Sequence, residues 1–77
     1  MISKRLKGVI LKTLKLKEFN LEDETRAYQV PGWDSINHII ILVAVEKEYG
    51  IRFKTTEILR LRKLGDLQIL INSKISA

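Results

Sequence analysis

The sequence predicts an all-α fold, namely a small four-helix bundle of three main helices and one short helix, with a long loop between the first and second helices. Three stretches, residues 2–17, 35–49 and 64–75, repeat apolar residues at spacings of three and four, which is the period of a helix. The alternating segment 51–54 is too short to propose a sheet. A chain of 77 residues can bury one core, so we expect residues 1–77 to form a single domain.

The first predicted helix, residues 2–17, is amphipathic and basic. Its apolar residues form one stripe: Ile2, Leu6, Val9, Ile10 and Leu14. The segment carries six bases and no acid, whereas the rest of the chain carries eight bases and nine acids, so the net charge of +5 comes from this segment. We interpret the lysines as a solvated face, and the alternative is a surface for anionic lipid or nucleic acid. Because aromatic residues are few and not interleaved with the bases, we expect no nucleic-acid partner.

The composition excludes several kinds of site. The chain has no cysteine and one histidine, so we expect neither a disulfide nor a metal site. The longest apolar run, Ile39–Val45, is far shorter than the roughly 20 residues of a membrane span. The basic start lacks the apolar stretch of a signal sequence, and removing it as a transit peptide would delete a helix that the small core needs. We therefore expect a cytoplasmic protein without a membrane span.

The predicted long loop, residues 18–33, shows no sustained period. A loop of this length in a small domain must be pinned by its own apolar side chains, so we expect these to enter the core. They are Phe19, Leu21, Tyr28, Val30 and Trp33.

The second predicted helix begins at Asp34 or Ser35, after a Pro31-Gly32 turn, and ends near Tyr49 before the stop at Gly50. Its apolar residues fall on two faces. The face expected in the core comprises Ile41, Leu42, Val45 and Tyr49, and the face expected to stay partly open comprises Ile36, Ile39, Ile40 and Val43.

Two further helices are predicted after residue 54. Thr55 or Thr56 is the expected cap of a short helix that ends near Leu61. The last helix, 64–75, carries Asp66 at its positive end. Its inward stripe is predicted to be Leu64, Leu67, Ile71 and Ile75.

Ser35 is the candidate functional residue, because its hydroxyl lies at the start of a helix. His38 lies three residues on, but a serine nucleophile also needs an orienter for the histidine and donors for an oxyanion, so hydrolysis is not favoured. A phosphate ester suits Ser35 better, since the first-turn N–H groups and the helix dipole favour an anion there. Asp34 is, at the least, an ordinary N-cap. We infer that Ser35 carries a prosthetic group.

Several short motifs surround the second helix and the start of the last one. They are Gly32, Asp34-Ser35-Ile36, Glu46-Lys47-Glu48-Tyr49-Gly50-Ile51, Phe53, Glu57-Ile58 and Leu64-Gly65-Asp66-Leu67. Together they resemble the acyl carrier protein family, over roughly residues 28–75. The first helix and the loop match that family by length and pattern.

The resemblance implies a covalent carrier and not an enzyme. A phosphopantetheinyl transferase would attach 4′-phosphopantetheine from coenzyme A to Ser35, and Asp34 would engage the transferase and its magnesium. The thiol of that cofactor would hold acyl groups as thioesters for acyl-loading and acyl-transfer enzymes, with the carrier as a monomer. An aminoacyl or peptidyl carrier uses the same serine chemistry and stays open. From a different class, the alternative is a basic helical module that binds anionic membrane or nucleic acid.

The chain departs from this family in its charge, since family members are usually strongly acidic. Asn37, His38, Ile40 and Lys47 lie around the second helix, which leaves Glu46 and Glu48 as its main acids. We expect partners to contact Glu46 and, above all, the apolar strip, which is Ile36, Ile39, Ile40 and Val43. The basic net charge favours a stand-alone carrier in a specialised lipid, polyketide or cell-surface acylation pathway.

Overall fold

The computed structural model describes residues 2–75, which contain four α-helices and no strand, so the predicted fold class is confirmed. The elements are α1 (Lys4–Leu14), a short 3₁₀ helix (Ala27–Gln29), α2 (Ser35–Tyr49), α3 (Thr55–Leu59) and α4 (Leu64–Ile75). The long loop between α1 and α2 runs over 15–34 and contains the 3₁₀ helix.

Helix α1 is shorter than the sequence predicts. It begins after Ser3, whose Oγ accepts the Leu6 N–H at 3.2 Å. It ends at Leu14 because Lys15 adopts a left-handed conformation with φ 59°. The N–H groups that follow the helix bond back to carbonyls of its last turn, which closes the helix without a glycine.

The core lies where α1, α2, α4 and the long loop meet. Its buried apolar residues are Leu6, Ile10, Leu21, Val30, Ile41, Leu42, Val45, Leu64, Leu67 and Ile71. Gln68 is also buried, and its Oε1 accepts the Ser3 N–H at 2.9 Å, which ties the start of α1 to α4. The prediction that Ile75 points inward is wrong: it is 50% exposed, because α4 continues one turn past Ile71, its last buried residue.

The long loop is anchored by part of its predicted set. Leu21 and Val30 are buried, and Phe19 and Trp33 pack against the core from partly exposed positions. The prediction for Tyr28 is wrong, since its side chain is 80% exposed on the 3₁₀ helix. The tight 3₁₀ turn buries none of its three residues, so Tyr28 projects into solvent.

The loop also binds the first turn of α4 through the backbone. The Leu64 N–H donates to the Thr25 carbonyl, and the Gly65 N–H donates to the Asp23 carbonyl, both at 2.9 Å. These amides have no partners within the helix, so the loop satisfies them. Asp66 lies in the first turn at this positive end, as predicted, and its Oδ2 also accepts the Arg62 N–H at 3.1 Å.

Helix α3 is capped differently from the prediction, because Lys54 and not a threonine is its N-cap residue. The Oε1 of Glu57 accepts the Lys54 N–H at 2.8 Å and lies 2.9 Å from the Lys74 Nζ of α4. The Lys54 N–H and then the Lys74 ammonium lower the pKa of Glu57. The helix ends at Leu59, two residues before the predicted end.

Gly65 allows the close approach of the loop to α4. A Cβ at this position would lie 3.0 Å from the Asp23 carbonyl oxygen. We expect Gly65→Ala to lower the free energy of unfolding by about 1–3 kcal/mol, as overpacking does, in urea denaturation at equilibrium.

The matched control is Gly8→Ala on α1, where a Cβ meets nothing within 4 Å. We expect that change to raise the free energy of unfolding by about 0.5–1 kcal/mol, because alanine is the better helix former. Equal stabilisation by both substitutions would show that the loop does not rest on α4.

Candidate functional site

Ser35 is the first residue of α2, and its side chain is exposed. Asp34 is the N-cap, as predicted, and its Oδ1 accepts the Asn37 N–H at 2.8 Å. Gly50 ends the helix in the left-handed conformation with φ 66°, also as predicted. The hydroxyl of Ser35 is therefore presented to solvent at the positive end of a four-turn helix.

Side-chain hydrogen bonds hold the turn before Ser35 against the first turn of α2. The Asn37 Nδ2 donates to the Gly32 carbonyl at 2.7 Å, and Gly32 itself adopts φ 82°. The Trp33 Nε1 donates to the His38 Nδ1 at 3.1 Å. Sequence reasoning missed these roles of Asn37 and His38. The sequence pattern that could have indicated the role of Asn37 is its position three residues after the N-cap Asp34, close enough for its amide to reach the turn at Gly32.

The backbone at this helix end offers donors to an anion. Among residues 2–75, the N–H groups of Ser35 and Ile36 have no hydrogen-bond acceptor, whereas the Asn37 N–H is used by the cap. Free N–H groups in the first turn, together with the helix dipole, stabilise negative charge beside the Ser35 hydroxyl.

The two apolar faces of α2 have the predicted environments. Ile41, Leu42 and Val45 are buried. The apolar strip, Ile36, Ile39, Ile40 and Val43, is between 43% and 71% exposed. The strip begins at the residue after Ser35. Ser35, the exposed Tyr28 and Ile39 of the strip line one shallow cleft. The surface around Ser35 is therefore largely apolar.

The two acids near the end of α2 are both bonded within the chain. The Oε2 of Glu46 accepts the Phe53 N–H at 2.8 Å, which joins α2 to the segment before α3. The Oε2 of Glu48 lies 2.7 Å from the Arg5 Nε of α1. The contact of Glu46 with a partner stays a prediction, and its carboxylate already has a structural role.

The surroundings of Ser35 do not form a serine–histidine pair. Within the described part of the chain, His38 uses its Nδ1 to accept from Trp33 and makes no hydrogen bond to Ser35. Across residues 2–75 there is no group of three or more histidine or acidic residues placed to hold a metal ion. No helix in the same range is both long and apolar enough to cross a membrane.

Comparison with known proteins agrees with this geometry. No family model matches the chain, and no curated protein matches it significantly. The chain is similar to the solution NMR structure of a holo acyl carrier protein from Geobacter metallireducens, with a TM-score of 0.85 and 27% sequence identity. The match covers 96% of this chain and 88% of that chain, so it includes the long loop as well as the helices.

This similarity supports the assignment of the chain to the acyl carrier protein family. Its fold is that of a carrier and not of an enzyme. Within this fold, the chain places Ser35 at the start of α2 and the apolar strip directly after it.

The bundle contains a small cavity beside α2. A cavity of about 40 Å³ lies between the long loop, α2 and the start of α4. Its lining includes Ala27, Trp33, His38, Leu42, Leu61, Leu64 and Leu67. A space of this size holds a few water molecules at most. A long acyl chain does not fit in this cavity.

Ile40 and Ile41 lie on different faces of α2, so a glutamate at each position should change the free energy of unfolding differently. We expect Ile40→Glu to cost less than about 1 kcal/mol of unfolding free energy, because Ile40 is 46% exposed. Ile41 is fully buried, so Ile41→Glu should cost more than about 4 kcal/mol through an unpaired buried carboxylate. Urea denaturation followed by circular dichroism measures both, and equal losses would assign Ile40 to the core.

Proposed function

We propose that Ser35 carries 4′-phosphopantetheine and that the chain delivers acyl groups bound to it. The observation that supports this most directly is an exposed serine hydroxyl at the first position of α2 in an acyl carrier fold. When bound, the group supplies a terminal thiol that holds acyl groups as thioesters. The chain has no cysteine, so no thiol of its own competes for the acyl group.

The proposed attachment step forms a phosphate ester at the Ser35 hydroxyl. Its Oγ would attack the phosphorus that bears the pantetheine arm in coenzyme A, so that a new ester bond forms while the pyrophosphate link breaks. The hydroxyl proton leaves to a base of the transferase, and adenosine 3′,5′-bisphosphate is released. The free N–H groups of Ser35 and Ile36 and the positive end of α2 stabilise the phosphate that stays on Ser35.

Asp34 has two roles in this proposal. Its Oδ1 caps α2, while its Oδ2 accepts no hydrogen bond from the residues described and is exposed. An exposed carboxylate oxygen beside the reacting hydroxyl suits the magnesium ion of the transferase, since Mg²⁺ prefers carboxylate ligands. The cap and the metal contact therefore use different oxygens of one side chain.

We assign the whole chain, residues 1–77, to one carrier domain that acts in the cytoplasm in a specialised acylation, lipid or polyketide pathway. Its partners are a phosphopantetheinyl transferase and the enzymes that load and unload the thioester. The small interior cavity supports cargo that is displayed to those enzymes and not stored inside the bundle. A carrier of aminoacyl groups would use Ser35 in the same way.

Ser35 is the attachment residue if its removal abolishes loading. We expect incubation with coenzyme A, Mg²⁺ and a transferase of broad specificity to add the mass of one phosphopantetheine to the wild-type chain and none to Ser35→Ala. Mass spectrometry of the intact protein measures this. The control is Ser73→Ala on α4, which should load normally. An unmodified wild-type chain, or a Ser35→Ala chain that still gains mass, would refute the assignment.

The two roles of Asp34 separate by substitution. Asparagine is also a good N-cap, so we expect Asp34→Asn to keep its stability, whereas Asp34→Ala loses about 1 kcal/mol. Both should load about tenfold more slowly or worse, because each removes the carboxylate that a magnesium ion would contact. Urea denaturation and loading rates by mass spectrometry give the two readouts. Loading of Asp34→Asn at the wild-type rate would show that Asp34 is a cap and nothing more.

A further inference from the structure

We propose that the apolar strip and the adjacent groove between α1 and α2 dock an acidic surface with an apolar centre on the enzyme that exchanges cargo with Ser35. This rests on the proposed function of Ser35 and adds the chemistry of the partner. Three features of this face indicate the chemistry of the partner. They are an apolar row along α2 (the floor), unpaired bases around it (the rim), and acids that are bonded to groups of this chain.

The apolar floor is continuous from Ser35 to the groove. A single row on the open side of α2 is formed by Ile36, Ile40 and Val43, which follow one another at spacings of four and three. Lys47 follows four residues later, at the end of this row. From Ile36 to Val43 the row is about 10 Å long at the rise of an α-helix. Ile40 also lines the groove to α1, whose other walls include Val9, Thr13 and Ala44.

The rim of this floor is basic. Lys12 and Lys47 line the groove between α1 and α2. Arg52 lines the next depression along α2, together with Val43 and Lys47. Among the residues that the structure describes, none of these three bases is in an ion pair. Their charge is therefore available to a partner.

The acids of the same face offset these bases only in part, because one of the two is already in an ion pair. Glu48 is paired with Arg5, and that guanidinium also lies 4.3 Å from the centroid of the Tyr49 ring. Glu46 is bonded to the Phe53 N–H and is partly buried. An apolar patch with an unpaired basic rim is complementary to an apolar patch surrounded by carboxylates, because desolvated apolar contacts supply affinity and opposite charges at the rim set orientation.

A protein partner fits this face better than a membrane. Arg5 contacts α2, and Lys12 lies about 20° from it around α1 at 100° per residue. Lys4 and Lys7 lie about 80–140° from Lys12 in the other direction, away from α2. A helix lying on a membrane has its bases flanking one broad apolar face. Here most of the α1 lysines lie on a different side from the apolar strip.

The test uses the holo chain labelled with ¹⁵N and two helical peptides that stand in for the partner surface. Both peptides have a leucine face, flanked by glutamates in one and by lysines in the other. We expect the glutamate peptide to shift the amide signals of 36–47 and to bind more tightly than the lysine peptide. Lys12→Glu/Lys47→Glu should bind the glutamate peptide about tenfold more weakly, from two lost attractions and two new repulsions.

The matched control is Lys4→Glu, which makes the same charge change on α1 about 12 Å along the helix from Lys12. Its affinity should change by less than about twofold, since exposed charges at that distance are largely screened by salt. Equal binding of the two peptides by the wild-type chain, or an equal loss in Lys4→Glu, would overturn the proposal. Vesicles of phosphatidylglycerol that shift the same signals more strongly than the glutamate peptide would assign this face to a membrane.

The loading state of Ser35, followed by intact mass in the same samples, separates the two levels of the argument. A wild-type chain that does not load fails the proposed function itself. A chain that loads normally but does not discriminate between the peptides fails the docking proposal alone.

Discussion

Helix α2 is apolar on two sides, and this limits how the other elements can pack around it. A bundle of this size has enough partners to bury one side of such a helix and not both. Ile41, Leu42 and Val45 take the buried side, against α1, α4 and the long loop. The other side stays open directly after Ser35. An enzyme that loaded Ser35, as proposed above, would contact this open side.

The long loop fixes the position at which the chain enters α2, and so the position of Ser35. Leu21 and Val30 anchor it in the core, and its carbonyls bind the first amides of α4. The chain then enters α2 through a turn held by the Asn37–Gly32 and Trp33–His38 hydrogen bonds. These contacts orient Ser35 at the helix end without enclosing it. Hydrogen bonds thus support the turn before Ser35, and the serine itself stays exposed.

The acids and the bases around the open face of α2 differ in their internal contacts. Glu46 and Glu48 are the acids that sequence reasoning assigned to the second helix, and both are bonded to groups of this chain. The bases around the open face are not. Arg5 offsets the charge of Glu48, whereas Glu46 keeps its charge. Around the groove and the next depression, three bases without an ion pair therefore face one acid without an ion pair, among the residues described.

The sequence by itself determined the start and end of α2, from Asp34 to Gly50, because caps and glycine stops depend on residues within one turn. It also determined which α2 residues share a face, since helical periodicity is local. Tertiary structure alone decided that Tyr28 is exposed in a loop expected to bury it, and that Arg5 neutralises Glu48. Those outcomes depend on segments distant in sequence, whose contacts form only when the helices pack together.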